Sequence, residues 1–167
     1  MTKRITIFLL LPLLFDKSFS QSKKEIDSLL SAVSEIENSK YITSSPAAIK
    51  IIVYGDKVLP LLASCFQDTI RTHIKSDCQG VLLNKGEAAI IIADRIEQMP
   101  YAILTGIQNC VLEFCKDNTN LIEFYLYAIR RKGVHLFKRK YSDWLESSDR
   151  KEWTAYLNNK KKLTKRG

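Results

Sequence analysis

Apolar residues recur three and four apart from Ile26 to Leu157, and this period limits what the chain can fold into more than any motif does. In SKKEIDSLLSAVSEIEN, Ile26, Leu29, Leu30, Val33 and Ile36 fall on one stripe of a helix. Ala47 to Tyr54 gives a short apolar helix, and Val58, Leu61, Leu62, Cys65 and Phe66 give another. Ala89, Ile92, Ala93 and Ile96 follow. A third apolar helix carries Ile103, Ile107, Cys110, Val111 and Phe114, and the segment Leu121 to Lys132 is closed by Gly133. Val134, Phe137, Tyr141, Trp144 and Leu145 make a further stripe. The last helix opens with Asp149 and Glu152 in capping-box order and turns Trp153, Tyr156 and Leu157 inward. SKYITSSP, residues 39–46, lacks the period and reads as a connector. The β-branched run of Ile90, Ile91 and Ile92 would suit a strand, but Asp94, Arg95, Glu97 and Gln98 break alternation and leave Ala93 and Ile96 on a helical face. The expected fold is all-α, an irregular helical bundle or a short stack of antiparallel helix pairs.

Two of these helices share an opening. YGDKVLPLLASCFQDT and KGEAAIIIADRIEQMP lie 31 positions apart, and placing Gly55 over Gly86 sets Val58 over Ala89, Leu61 over Ile92 and Leu62 over Ala93. Each unit reads as a helix stop, a sharp turn at Gly, an acid at the positive start of a new helix, and a broad apolar face that a neighbour must cover. A short helix, Gly plus an acid, then KVLPLLASCFQDT resembles the second half of a HEAT-type repeat, best over residues 47–69 and more loosely over 82–99. The resemblance implies a protein-binding scaffold of paired, stacked helices.

Lys3 and Arg4, an apolar run from Ile5 to Phe15, and small residues at Ser18 and Ser20 are the three parts of a secretory signal peptide over residues 1–20. An apolar run that short cannot span a hydrocarbon core needing about 20 residues, so no anchor is expected after cleavage. Export to the periplasm or beyond follows. The net charge of +8 falls to +6 without residues 1–20, and five more cations crowd the last ten residues, NNKKKLTKRG. Residues 21–157 are then a single helical domain near neutrality, and residues 158–167 a flexible basic tail. A nucleic-acid site wants its cations gathered on a folded face, which argues against that partner. The tail could touch anionic surfaces weakly.

Four cysteines in an exported chain suggest disulfides. Cys110 and Cys115 are five apart on an expected helix, too far around the axis to bridge, which disfavours that pair and with it Cys65 to Cys78. The other two pairings stay open, as do four buried thiols.

Chemistry is thinly signposted. His73, Asp77 and Cys78 could share a face, but a closed zinc site needs a second ligand pair, so no metal is expected and no cofactor either. Asp94 and Glu97 are spaced for acid and base work yet read as the wet face of a helix, with Arg95 beside them. His135 reads as solvated. Ser44, Ser45, Ser147 and Ser148 precede helices, where hydroxyls cap free amides. Tyr101 and Tyr127, with Arg130 and Arg131, are the candidate interface residues, because Tyr and Arg favour interface cores. The reading is an exported, non-enzymatic helical protein that binds a protein partner in the cell envelope. Its rivals are a small hydrolase-like envelope enzyme using Asp94, Glu97 and His73, and an immunity-type protein that neutralises a toxin.

Overall fold

A computed structural model describes residues 22–108, 115 and 118–164. The signal segment 1–20 and Cys110 lie outside the described residues, as does the whole stretch 109–114 of the expected third apolar helix. The chain is mostly helical, in the order α1 (Lys23–Val33), α2 (Pro46–Val53), α3 (Leu59–Cys65), β1 (Arg71–Lys75), β2 (Leu82–Asn84), α4 (Lys85–Ile96), α5 (Tyr101–Thr105), α6 (Ile122–Lys132), α7 (Val134–Glu146) and α8 (Ser148–Thr164).

Helix α4 is the axis of the core. Every residue from Lys85 to Ala93 is buried, and α1, α2, α3 and α6 all pack on it. That explains why Ile90, Ile91 and Ile92 carry no single stripe: a helix covered on all sides has no polar face to show. Each such side chain removed from water contributes about 1.5–3 kcal/mol. Around this axis Ile26, Leu30 and Val33 of α1, Leu59 and Leu62 of α3, and Phe137, Tyr141 and Trp144 of α7 complete the core. Phe66 joins α3 to α7, its ring 5.9 Å from Phe137 and 5.2 Å from Tyr141.

Several expectations need correction. The connector at Ser39–Ser44 is a 3₁₀ turn capped by the Asn38 side chain. Residues 71–84 hold a small antiparallel two-stranded hairpin that the helical period did not announce, within a fold that is otherwise the all-α one expected. In RTHIK, Thr72 and Ile74 face inward while Arg71, His73 and Lys75 face out, and β1 also takes hydrogen bonds from His73 N–H to Ser34 O and Lys75 N–H to Glu37 O. The helix after Pro100 stops at Thr105, because Gly106 adopts φ +66° and its N–H closes on Ala102 O. Helix α8 starts earlier than Asp149, with the Ser147 hydroxyl accepting from Arg150 N–H. It runs on to Thr164, through much of the segment read as a tail, and Tyr156 on it is exposed.

The two glycines that open the apparent repeat do different work. Gly55 sits at φ +67° between α2 and α3, and a Cβ there would meet nothing within 4 Å, so its role is the left-handed turn. Gly86 lies inside the first turn of α4, where a Cβ would fall 2.2 Å from Phe66 O and 2.9 Å from Asp68 O. It lets the start of α4 touch the backbone leaving α3, a contact sealed by Gly86 N–H to Asp68 O at 3.0 Å. The turn before α4 is made by strand β2, and its start is capped by Asn84 and Glu87 in a reciprocal box.

The distant parts of the chain meet at Glu123, in the first turn of α6 and fully buried. One carboxylate oxygen accepts from Ser39 Oγ at 2.8 Å and Asn118 Nδ2 at 2.6 Å. The other accepts from Ser76 Oγ and, at 3.4 Å, from Cys78 N–H. Gln79 Nε2 donates to the Glu123 carbonyl at 2.6 Å. Ser39 Oγ in turn accepts from Asp77 N–H at 2.9 Å, and Asn120 Nδ2 donates to Ser39 O at 3.0 Å. Beside this cluster Cys78 and Cys115 form a disulfide, a pairing compatible with those left open by the sequence, while Cys65 is a buried free thiol.

Two substitutions test these contacts. Gly86→Ala should cost about 3 kcal/mol in urea unfolding, since backbone cannot move aside for the new methyl, whereas Gly55→Ala should cost about 1–2 kcal/mol through φ alone. Equal effects would mean the two glycines are equivalent after all. Glu123→Ala strands two hydroxyls and an amide in the interior and should cost about 3–5 kcal/mol, read from the same denaturation midpoint.

Candidate functional site

The fully buried run of helix α4 ends at Ala93, and the next turn, Asp94 to Glu97, meets α5, α8 and the Thr119–Leu121 segment around a cleft of about 420 Å³. Its walls are polar: Asp94, Glu97, Gln98, Tyr101, Asn120 and Thr154 line it. This is where charge is gathered, and the acids are neither wet nor idle, contrary to the expectation from their spacing. Asp94 is half-buried; its carboxylate accepts from Met99 N–H at 2.9 Å and Tyr101 Oη at 2.9 Å. Removal from water pushes its pKa up to about 6, against the opposing pull of those two hydrogen bonds and the Arg95 charge. The Tyr101 hydroxyl is pushed up as well, by burial first and by the neighbouring Asp94 second.

Glu97 is held differently. Arg150 of α8 grips it with Nε at 2.9 Å and Nη2 at 2.8 Å, a two-point pairing that fixes the guanidinium plane. Arg150 also donates to Leu145 O at 3.2 Å, and Trp153 Nε1 donates to Gln98 O at 2.7 Å, so α8 is stitched to the end of α4. Glu97 raises the Arg150 pKa through that hydrogen bond. Close to the same acids sits Tyr141, fully buried, whose hydroxyl has no hydrogen-bond partner among the described residues and is pushed well above its ordinary pKa by burial and by the Glu97 charge.

Other sequence candidates fall elsewhere. His73 is on exposed strand β1, 3.2 Å from Glu35, and is no helix-end residue. It does not meet Asp94 or Glu97 in the cleft. His135 is exposed on α7, as expected. Among the described residues the grouping with ligand-like spacing is Asp77, Cys78 and Cys115, but its two sulfurs are bonded to each other and cannot ligate as thiolates. Ser45 caps α2 by accepting from Ala48 N–H at 3.2 Å.

Comparison with known protein families, with characterised proteins and with solved structures finds no match.

The four interface candidates divide. Tyr101 is half-buried, its ring stacked on Tyr125 at 4.6 Å and its hydroxyl donating to Asp94, so both ends are engaged within the fold. Arg130 pairs with the buried Glu87 and donates to Gln79 Oε1 at 3.0 Å. Tyr127 and Arg131, one turn apart on α6, face solvent. Sequence reasoning missed Val81 and Leu82, exposed beside them on the hairpin, and missed Arg150 and Glu123 as the charges that organise the interior. Glu123 did carry a signal, since Ile122, Tyr125, Leu126 and Ile129 surround it on the buried side of α6.

Asp94 sets a pH dependence whose sign is fixed. Its folded pKa lies above the ordinary value of 3.8, so between about pH 4 and pH 6 the folded chain holds a proton that the unfolded chain has released. Stability from this group is therefore fully present below about pH 4 and is lost as pH rises from there through 6, by about 3 kcal/mol. Asp94→Asn, which keeps the hydrogen-bonding shape, should flatten that slope in chemical denaturation between about pH 4 and about pH 6.5, the window set by the two pKa values. A slope unchanged by the substitution would place the titration elsewhere.

Proposed function

We propose that this chain is an exported helical protein that acts by binding another protein in the cell envelope. The observation that carries the proposal is how the chain's charges are divided: the buried and half-buried ones are committed to internal joints, while exposed Tyr, Leu and Val side chains stand beside exposed arginines on one side of α6 and the hairpin. Asp94 is taken up by Met99 and Tyr101, Glu97 by Arg150, and Glu123 by serine hydroxyls and amides. Three further features support it. A disulfide fits an oxidising compartment, which agrees with the signal-like N-terminus. No helix among the described residues is long and apolar enough to cross a membrane. The α2–Gly55–α3 unit serves in this reading as a single HEAT-like hairpin that stiffens the scaffold.

A second reading has one observation in its favour. Asp94, with a pKa near neutrality at the wall of a polar cleft, has the character of a proton-transferring group, and Tyr101 lies within reach of it. On that reading the cleft holds a small polar substrate and the chain is a hydrolase-like enzyme. The toxin-neutralising role is a special case of the binding proposal, in which the partner is an enzyme delivered to the same compartment.

The two separate in one experiment. The full chain with its signal is expressed in its native cell, captured after mild crosslinking, and the captured material identified by mass spectrometry. One protein in near-equal amount is the expected result. If replicate captures bring nothing above background, the binding proposal falls and hydrolysis assays on Asp94→Asn against the parent chain take its place.

A further inference from the structure

The side of the molecule where β2 meets α6 is built to hold an extended strand. Two concave surfaces meet there at Val81 and Arg130. One, of about 530 Å³, runs along β2 past Thr69, Arg71, Leu82 and Asn84. The other, of about 420 Å³, runs along α6 past Gln79, Tyr127 and Ala128. Large apolar side chains are open on it, Leu82 at 60 %, Tyr127 at 62 % and Val81 at 43 %.

The register of the hairpin decides what the edge offers. Leu82 stands opposite Lys75, and that pair is flanked by Ser76 N–H to Val81 O at 2.7 Å. In an antiparallel ladder a pair so flanked turns its main chain outward on both strands. Lys75 shows this on its own side, where its N–H reaches Glu37 O at 2.8 Å. The Leu82 N–H and C=O therefore point away from β1, over the groove. The next outward amide, at Asn84, is already bound by Glu87 Oε2 at 2.9 Å, so the open edge is one residue long.

Charge selects the occupant. Arg71 at one end of the groove and Arg131 one turn beyond Tyr127 are exposed, and among the described residues neither has an acid partner. Glu87, the acid lining the groove, is buried and neutralised by Arg130. A second copy docking through the same face would set Arg71 and Arg131 against their counterparts, and the chain's own lysine-rich end would be repelled.

We propose that the face formed by Val81, Leu82, Tyr127, Arg71 and Arg131 docks an extended, acidic segment of a partner protein, which pairs its main chain with Leu82 and sets alternate apolar side chains against Tyr127 and Val81. This rests on the protein-binding reading above and adds to it the face and the chemistry of the partner. Alternation fits the mode: a strand laid on an edge presents every second residue to one side, and its acids fall against the flanking arginines.

The test uses p-benzoylphenylalanine in place of Leu82, of Tyr127 and, as a control on α2, of Val53, which is 77 % exposed. Light-induced adducts are collected from the full chain in its native cell, and the linked peptide is sequenced and synthesised. Adducts from positions 82 and 127 but not 53, to an acid-rich segment, are expected. Binding of that synthetic peptide, followed by fluorescence anisotropy, should weaken at least tenfold in Arg71→Glu/Arg131→Glu, whose helical circular dichroism should stay unchanged because both side chains are exposed. Adducts from 53 alone would overturn this face while leaving a protein-binding role intact. Peptide affinity indifferent to the charge reversal would overturn the acidic partner. Binding to phosphatidylglycerol vesicles that the same reversal abolishes, with no protein adduct, would assign the face to a lipid surface instead. No adduct at any position, together with an empty capture, would remove the binding role itself.

Discussion

A carboxylate buried, among the described residues, without a cation beside it governs this structure. Glu123 lies in the first turn of α6 with no exposed surface, and what compensates its charge is a shell of donors from the 3₁₀ turn at Ser39, the hairpin end at Ser76 and Cys78, and Asn118. Burying an ion without such a shell costs several kcal/mol, so the shell must assemble for the charge to be tolerated. The positive end of α6 favours an acid in its first turn and adds to the shell. Because the donors come from segments as much as 84 residues apart, this one side chain ties the N-terminal third, the hairpin and the C-terminal helices together. The Cys78–Cys115 bridge holds the same junction covalently, closing a loop with a separation of 37 residues, the kind of constraint that limits the unfolded chain.

Around that junction, the legible and illegible parts of the fold divide by range. Helices α1, α6 and α7 were readable because their buried positions, such as Ile26, Leu30 and Val33 or Phe137, Tyr141 and Trp144, repeat within a few residues. Gly55 and Gly133 were readable because a helix stop is a local event. The hairpin was not. RTHIK buries Thr72 and Ile74, and Thr72 is accepted in the interior because its hydroxyl donates to Leu83 O at 2.7 Å, eleven residues away. Nothing within five residues announces that partner. Gly86 teaches the same point from the other side: its likeness to Gly55 is real in sequence, but one glycine answers a backbone dihedral and the other answers the carbonyl of Phe66.

The polar residues show the limit most sharply. Asp94 and Glu97, three apart on a helix, must share a face, and sequence says nothing of whether that face is wet. Their partners, Tyr101 and Arg150, decide it, and Arg150 lies 53 residues from Glu97. Tyr101, an interface candidate by residue type, instead donates its hydroxyl to Asp94 and stacks its ring on Tyr125. Conversely Val81 and Leu82 have the composition of core residues and stand at the surface, because a short strand at a sheet edge has one covered side only.

These allocations bear on what the surface can attract. Composition places the folded middle near neutrality, but charges buried inside do not act on a partner as surface charges do. Glu123 is enclosed without a cation, and Glu87 is enclosed with Arg130 leaning over it, while Lys85 is the buried member of its pair and leaves Asp27 half in solvent. An acid sequestered with neutral donors is unavailable to pair with a surface cation, which leaves an excess of unpaired cations on the surface. The excess is felt where no acid screens it, along Arg71 and Arg131. The interior's need to satisfy its own acids thus shapes the outside: Glu123 is spent on the donors that lock α6 to the hairpin, and Glu87, the acid lining the groove, is spent on Arg130. Rim charges of this kind act chiefly on the rate and selectivity of encounter, and the apolar contact of Leu82 and Tyr127 must hold what they attract.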